Sequence, residues 1–483
     1  MTGHARAAQP LRRVATAGGF AALVTAAAAL AGALVGGGSI TPVVLEGDPA
    51  PDTDDNFQNF DRPNISESGA IFFAGDTDGA SDADDVIYRD ATLIAKENDP
   101  APGTVEGRYA GFEFFETGHQ INASGDVVFI ATLRNVPSDA NRAIYRNDTL
   151  FAREGDVPPG IVGRIYDDFG FAGITDDGTV GFRGDLDGSA DDDSVIVFDG
   201  VVLYREQEDV PVLEEGVWDA NFDELQWNGR GDLLFEGNTS LPGEEDMVIF
   251  RRLVAGKRGV VEEIVLQEGD AVDGSEGEDF IDLFLQTALA ENGLWAVRGN
   301  LLLAPPESDA FILAETGFFA QQGDPVEALE GVQLGNFNGL DINSNGDVLY
   351  LADLQGDTPP DVEEGIFIND ELIVTDGMPA PGLPDGTVFS DLGFEDLYIN
   401  DNGQVIFQAS YTGAATGDGL FTFTIGGACP ADLTGDDVVN VFDLLDLLAA
   451  WGPCPGCPAD LNGDDVVNVF DLLDLLAAWG PCP

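Results

Sequence analysis

INASGDVVF, residues Ile121–Phe129, returns six more times along the chain. The other copies are Ile65–Phe73 (ISESGAIFF), Ile174–Phe182 (ITDDGTVGF), Trp227–Phe235 (WNGRGDLLF), Leu289–Val297 (LAENGLWAV), Ile342–Tyr350 (INSNGDVLY) and Ile399–Phe407 (INDNGQVIF). Their glycines, Gly69, Gly125, Gly178, Gly231, Gly293, Gly346 and Gly403, fall 53 to 62 residues apart, a spacing that points to a repeat architecture. Within each copy an apolar residue ends one run, Gly follows four residues later, and apolar residues stand two and four beyond the Gly, as Val127 and Phe129 do. That alternation predicts a half-buried strand. Asn, Ser or Thr opens the turn in every copy but that of Ala290, and Gly closes it where a positive φ is needed. Each copy therefore reads as a hairpin tip with its outgoing strand.

Outward from each nonamer a larger unit repeats. A second run follows, such as Ala143–Arg146 or Gly365–Ile368. A third run ends in an acidic-Gly-Asp-like step, as in Thr149–Asp156 (TLFAREGD), Val261–Asp270 (VEEIVLQEGD) and Gly317–Asp324 (GFFAQQGD). A Pro- or Gly-rich loop such as Asp99–Gly103 then leads to the next nonamer. Four strands per unit, seven times over, predict a mainly β fold, a seven-bladed β-propeller. An open array of small sandwiches and a two-domain β protein are the alternatives. The seventh unit stops at Gly426-Gly427 without its last run, and that run, with the same Glu-Gly-Asp-Pro ending, stands at Ile40–Pro49. The expectation is that the N-terminal strand completes the seventh blade and leaves no open edge.

The 483 residues carry 88 acids against 20 Lys and Arg, a formal net charge of -68. Such a field repels nucleic acid and anionic membranes. The 44% hydrophobic content and 31 Phe argue for packed cores rather than disorder. Arg6, Arg12 and Arg13 precede the uncharged, Ala- and Leu-rich Gly18–Val35, so residues 1–38 read as an export signal, with an uncleaved anchor as the rival reading. Secretion, with attachment to the cell surface, is the expected location. The nonamers and their surroundings, over residues 40–427, resemble the secreted bacterial repeat proteins named for an N-x-x-G-x-x-A-F motif, although Val, Leu or Phe mostly replaces the Ala here. The resemblance implies a repeat fold and no settled activity.

Two acidic loops, Asp76–Asp85 (DTDGASDADD) and Asp185–Asp193 (DLDGSADDD), offer oxygens to Ca²⁺ but lack the twelve-residue calcium-loop register, so they read as solvated turns. That register is met at the other end of the chain, residues 428–483, where Cys429–Gly456 and Cys457–Pro483 are near-identical copies. Positions 1, 3, 5, 7, 9 and 12 are Asp432, Thr434, Asp436, Val438 (through its carbonyl), Asn440 and Asp443 in the first copy. In the second they are Asp460, Asn462, Asp464, Val466, Asn468 and Asp471. Hard oxygens at this spacing wrap one Ca²⁺ ahead of a helix, so two Ca²⁺ sites are expected, the first the weaker because Thr434 is a neutral ligand. Helices are predicted over Val441–Trp451 and Val469–Trp479, with Leu444, Leu445, Leu448 and Trp451 on an apolar face.

Two calcium-loop-plus-helix repeats at the end of an exported chain resemble a dockerin, here in a Cys-bracketed, EF-hand-like form. The resemblance implies an anchoring module and a cohesin-like or other cell-surface protein as partner. Asp437 and Asp465 stand where the loop usually has Gly, and the selector positions hold Val441-Phe442 and Val469-Phe470, unlike familiar cellulosomal dockerins. The four cysteines, Cys429, Cys454, Cys457 and Cys482, allow three disulfide pairings. Cys429–Cys454 and Cys457–Cys482 are favoured because both copies have the same 25-residue separation; a zinc site is the rival.

No catalytic residue stands out. Beyond the signal the only histidine is His119, and no phosphate-binding or dinucleotide loop occurs. Carboxylate chemistry on a carbohydrate remains the enzymatic alternative. The function expected is that of an exported binding or structural propeller attached through its C-terminal module, with carbohydrate as one ligand class. A glycan-degrading propeller delivered by the same module is the alternative.

Overall fold

The structure, a computed structural model, describes residues 39–425 except 114–119, 244, 256–258, 273–279, 307, 361 and 394–396. It also describes 431–481 except 432, 435–437, 454–458, 460 and 462–465. Residues 1–38, expected to be an export signal, His119 and all four cysteines lie outside the described residues, as do the expected ligands Asp432, Asp436, Asp460, Asn462 and Asp464.

The chain is mainly β and forms a seven-bladed propeller. Six blades are four-stranded antiparallel meanders in simple chain order. Their first strands are Phe57–Ile65, Arg108–Glu113, Tyr166–Ile174, Trp218–Trp227, Ile281–Leu289 and Val332–Ile342; the seventh blade has the split pair Thr387–Asp391 and Leu397–Ile399. From the third blade round to the first, the first strands of consecutive blades pack on one another, which marks them as the innermost strands. Ile40–Leu45 takes the outer place in the seventh sheet, antiparallel to Gly417–Thr424, with Ile40 opposite Phe423 and Leu45 opposite Gly419.

The nonamers are the hairpins between first and second strands. In all seven the Gly N–H closes the turn on the carbonyl of the residue three back, from Gly69 on Ser66 to Gly403 on Asn400. Each of these glycines has φ between 70° and 92°, where a Cβ would be strained. The outgoing strand is not half-buried as its alternation implies. Val127, Val128, Phe129, Ile130 and Ala131 are all buried, as are Leu349 to Ala352. A blade between two neighbours has no solvent face, so both sides of its second strand enter a core. In five blades the aromatic at the end of the nonamer pairs across the sheet with an aromatic on the third strand. Phe73 stacks on Tyr88 at 5.5 Å, Phe129 on Tyr145 at 5.6 Å and Tyr350 on Phe367 at 5.0 Å between ring centroids. Such pairs add about 0.5–1.5 kcal/mol each beyond burial.

The acidic-Gly-Asp step has a structural cause. Its first acid caps the start of the third strand in the same blade: Glu154 accepts the N–H groups of Asn141 and Arg142, and Glu206 accepts that of Ser194. Its Asp turns back on its own strand, as Asp156 does on Arg153 N–H and Asp324 on Gln321 N–H. Glu46 and Asp48, which follow the N-terminal strand, make the corresponding bonds to Asp418 N–H (3.3 Å) and Leu45 N–H (3.0 Å).

The C-terminal segment contains two nine-residue helices, Val441–Ala449 and Val469–Ala477. The repeats clasp each other reciprocally: Val438-Val439 pairs with Gly480-Pro481, and Gly452-Pro453 pairs with Val466-Val467. Val439, Leu447, Val467 and Leu475 form a small fully buried core with Ala431 and Ala459. Leu447 is therefore the fully buried leucine of the first helix, with Leu444 packed against the same core. Leu445, Leu448 and Trp451 are 55%, 46% and 49% exposed.

Candidate functional site

The seven turns meet on one rim of the propeller, and side chains there cross from blade to blade. Asn at the first turn position uses both ends of its amide. Its Oδ1 accepts N–H groups of its own turn, as Asn122 does from Ser124 and Asp126. Its Nδ2 donates to the carbonyl at the same position of the next blade: Asn122 to Thr175 (2.8 Å), Asn228 to Ala290 (2.9 Å), Asn343 to Asn400 (3.3 Å) and Asn400 to Ser66 (3.0 Å). The last of these joins the seventh blade to the first. Read in sequence as turn chemistry alone, the Asn is also an inter-blade tie. Arginines add to it: Arg89, Arg146 and Arg251 donate to the turn-glycine carbonyls Gly125, Gly178 and Gly293 of the following blade.

The residue after the first turn position carries the chemistry. Glu67, Asp176, Glu291 and Asp401 each accept a backbone N–H from the preceding blade: Asp401 N to Glu67 (2.9 Å), Ala123 N to Asp176 (2.9 Å), Gly229 N to Glu291 (2.6 Å) and Ser344 N to Asp401 (2.6 Å). Asp341, on the sixth inner strand, accepts Ile399 N–H at 2.8 Å. Glu67, Glu291, Asp341 and Asp401 line a cavity of about 30 Å³ with Asn64 and Asn343. Burial, then the neighbouring carboxylates, push Glu67 up to about 7. Burial does the same to Glu291 and Asp341, each raised to about 7, against the backbone N–H bonds that pull them down. The rim thus concentrates acids that resist ionisation at neutral pH. On the same rim an open groove of about 900 Å³ runs between the turns of blades three and four, lined by Asp176, Asp177, Phe198, Asp199, Arg230 and Val254. Phe198 lies flat on Trp227 at 5.0 Å.

None of these acids was singled out from sequence. The available signal was the position after the first turn residue, which is acidic in four of seven copies.

Of the calcium-loop residues, the described ones cluster around position 12. Asp443 is fully buried; its Oδ1 accepts from Thr434 N (3.0 Å) and Oγ1 (2.9 Å), and its Oδ2 from Asn440 N (2.7 Å). Asn440 in turn accepts Phe442 N–H, so Asn440 and Asp443 form a capping box on the first helix. Asp471 is equally buried and accepts Asn468 N–H at 2.7 Å, with Asn468 capping Phe470. Val438 and Val466 sit in the clasping strand pairs.

A family described as one of unknown function, DUF7453, matches residues 13–216 and 92–422. The chain belongs to that family. The two overlapping matches span the repeat region, in keeping with a profile that registers on successive DUF7453 blades. No protein with a curated description matches the chain. Solved structures similar to this DUF7453 protein include the Dos1 propeller (9% identity, TM-score 0.34, 77% of this chain and 80% of that one). PorZ, a surface component of the type-IX secretion system of Porphyromonas gingivalis, is 12% identical with TM-score 0.39 over 81% of this chain, which spans half the length of PorZ. The subtype N11 neuraminidase-like protein of A/flat-faced bat/Peru/033/2010 (H18N11) is 10% identical with TM-score 0.30 over 80% of this chain and 94% of its own. At these values the seven-blade assignment rests on the strand pairing above.

Proposed function

We propose that this is an exported, surface-associated binding propeller, attached through a calcium-binding, dockerin-like C-terminal module. The observation that carries the reading is the exposed apolar face of that module. Val441, Phe442, Leu445, Leu448 and Trp451 are between 46% and 61% exposed, and their copies Val469, Phe470, Leu473, Leu476 and Trp479 between 47% and 63%. Ten large apolar side chains on so small a module form a patch of the kind that marks a protein contact. A cohesin-like or other cell-surface protein is the partner proposed. Calcium binding by Asp432, Thr434, Asp436, Val438, Asn440 and Asp443, and by their copies, is supported by the approach of positions 3 and 12 and by the burial of Asp443 and Asp471. The disulfides Cys429–Cys454 and Cys457–Cys482 belong to the same reading. In the propeller, the N-terminal strand acts as the latch of the ring, a role supported by its place in the seventh sheet and by the Glu46 bond.

For the propeller's own ligand, the groove between blades three and four has the size of a small-molecule site. Its acids and its supported Phe198 ring suit a polyhydroxylated or cationic ligand, and carbohydrate fits both. The glycan-degrading alternative draws on the acids held near 7 on the same rim. It is opposed by the cavity they line, about 30 Å³, which suits a water or an ion and not a sugar ring.

The test uses full-length chain without the signal as bait on surface extracts, with and without chelator. Capture of a defined surface protein in calcium, lost with chelator and lost on Phe442→Ala plus Phe470→Ala, is expected. Capture indifferent to both would sink the attachment reading. Reproducible turnover of a glycan, abolished by Glu67→Gln or Glu291→Gln, would replace binding with catalysis.

A further inference from the structure

On the rim opposite the nonamer turns, the two acidic loops occupy the same place in blades one and three. Asp76 faces Asp85 across the second and third strands of blade one, and Asp185 faces Ser194 in blade three. Directly opposed residues put their side chains on one face of a sheet. The capping acid of the fourth strand completes each group: Glu97 N donates to Asp85 O, and Glu206 N to Ser194 O. So Asp76, Asp84, Asp85 and Glu97 in the first blade correspond to Asp185, Asp193, Ser194 and Glu206 in the third.

Two observations set these groups apart from ordinary acidic turns. In blade three, Ser194 is 0% and Glu206 1% exposed, yet Ser194 Oγ and Glu206 Oε1 have no hydrogen-bond partner. Asp185 Oδ1, on the strand facing Ser194, has only the Arg183 guanidinium, with Nε at 3.6 Å. The other Glu206 oxygen holds Ser194 N–H at 2.9 Å, which puts the unpartnered oxygens in one corner of the blade. Buried oxygens without partners cost stability unless something satisfies them, and acceptors grouped this way call for a cation. In blade one, one oxygen each of Asp84, Asp85 and Glu97 lie within 4.8 Å of one another. Oxygens around one Ca²⁺ at about 2.4 Å span at most twice that distance, so the triad has the dimensions of a coordination sphere.

The fold does not require these acids. Blade five puts Asn300 opposite Ala310, with Gln322 as its capping residue. Blade six is acidic there too, with Asp353, Glu364 and Asp376: Asn338 Nδ2 reaches Asp353 at 2.6 Å, as Asn59 Nδ2 reaches Asp76 at 3.1 Å in blade one, and Asp376 accepts from Glu363 N and Glu364 N. In blade one, Arg134 lies 3.4 Å from Glu97, a single positive charge against four carboxylates among the described residues. In blade three, Arg164 and Arg205 pair with Asp192, outside the group, and Arg183 is shared between Asp185 (3.6 Å) and Asp223 (2.9 Å).

We propose that blades one and three each hold one hard divalent cation of the Ca²⁺ class, at Asp84, Asp85 and Glu97 beside Asp76, and at Asp193, Ser194 and Glu206 beside Asp185. The two ions tie the loop between second and third strands to the end of the fourth, as Glu154 and its N–H partners do in blade two. Ser194 in place of Asp85 makes the blade-three site the weaker.

The experiment titrates CaCl₂ itself into full-length protein whose C-terminal loops are silenced by Asp432→Ala plus Asp460→Ala, so that the outcome does not depend on the attachment reading. Two equivalents of calcium should bind. Glu206→Gln should remove one and Asp84→Asn plus Asp85→Asn the other. Ser194→Asp should tighten the weaker site at least several-fold, a gain that misfolding does not mimic. No saturable calcium in the silenced background, or binding unmoved by all of these substitutions, would overturn the proposal.

Discussion

The propeller and the C-terminal module are both built by repetition, but they keep different things constant. Across the seven blades the turn glycine and the apolar strand residues persist, while the residue after the first turn position runs Glu67, Ala123, Asp176, Gly229, Glu291, Ser344, Asp401. In the module the two copies differ, up to their closing cysteines, only at Thr434 and Asn462. Even Phe442 and Phe470, 61% and 63% exposed, are the same. The blades retain what the fold needs and let the rim vary, so any specificity there belongs to particular blades. The module retains a surface the fold does not need, which fits a face used twice in the same way.

The comparison is broken most severely by removing residues 40–46. Ile40 and Val44 are buried in the seventh sheet, and Leu420, Phe421 and Phe423 of its neighbouring strand are at most 2% exposed. Burial of each large apolar side chain stabilises by roughly 1.5–3 kcal/mol, so the loss is about 4 kcal/mol or more before the strand's hydrogen bonds are included. The expected outcome is collapse of soluble yield and of the main thermal transition, with calcium binding by the C-terminal segment intact. A truncated chain that melts as the full one does would show that the strand is an ornament on a ring held by its turns.

A second cut falls in the module alone. Asp443→Ala with Asp471→Ala removes both buried acceptors and one half of each capping box. About 1–2 kcal/mol per site is expected from the lost caps. If the module binds calcium as proposed, calorimetry should show its two calcium equivalents gone, with the propeller's melting temperature unchanged.

The two regions also respond to pH with opposite sign. Glu67, Glu291 and Asp341 are raised to about 7 in the folded propeller. Folding therefore retains protons that the unfolded chain releases at ordinary carboxylate pH. Their contribution is full below about 4.5 and lost as pH rises through about 7. Burial pushes Asp443 up, but the hydrogen bonds from Asn440 and Thr434 outweigh it and hold the carboxyl below its usual value. Its contribution is present above the ordinary carboxylate pKa and lost as pH falls. Melting followed by scanning calorimetry without calcium should place the propeller transition several degrees higher at pH 5 than at pH 8, at about 2–4 °C per kcal/mol. A propeller transition that rises with pH would contradict the acid rim.

The local half of this structure could be read in advance. Turn, strand alternation, blade count and the missing last run of the seventh unit are all short-range patterns. The rim could not, because it is made by residues 53 to 62 apart in sequence, brought together only once blades stack side by side. Glu67 and Asp401 are 334 residues apart and hydrogen-bonded. Burial of both faces of the second strands has the same origin: Phe72 and Phe73 alternate on their own strand, yet each meets a core because a neighbour lies on either side. In the module the inward side of the helix has a related origin. Leu447 and Leu445 are equally apolar, and only the second copy decides which points inward.

The smallest expected effect tests whether the turn Asn is more than turn chemistry. Ser66 holds the first turn position of blade one; its hydroxyl bonds within its own turn, to Ala70 N and Ser68. Asn122, Asn228, Asn343 and Asn400 hold the same position and send Nδ2 to the next blade. Ser66→Asn keeps an acceptor for the turn and adds a donor facing blade two. If the inter-blade tie stabilises the ring, the variant gains about 0.5–1.5 kcal/mol, the net worth of one hydrogen bond, and Asn400→Ala loses at least as much. If the Asn serves only its own turn, Ser66→Asn leaves the melting temperature where it was, while Asn400→Ala still lowers it. The pair of variants therefore separates the two roles: the loss alone would come from the turn, and the gain could come only from the neighbouring blade.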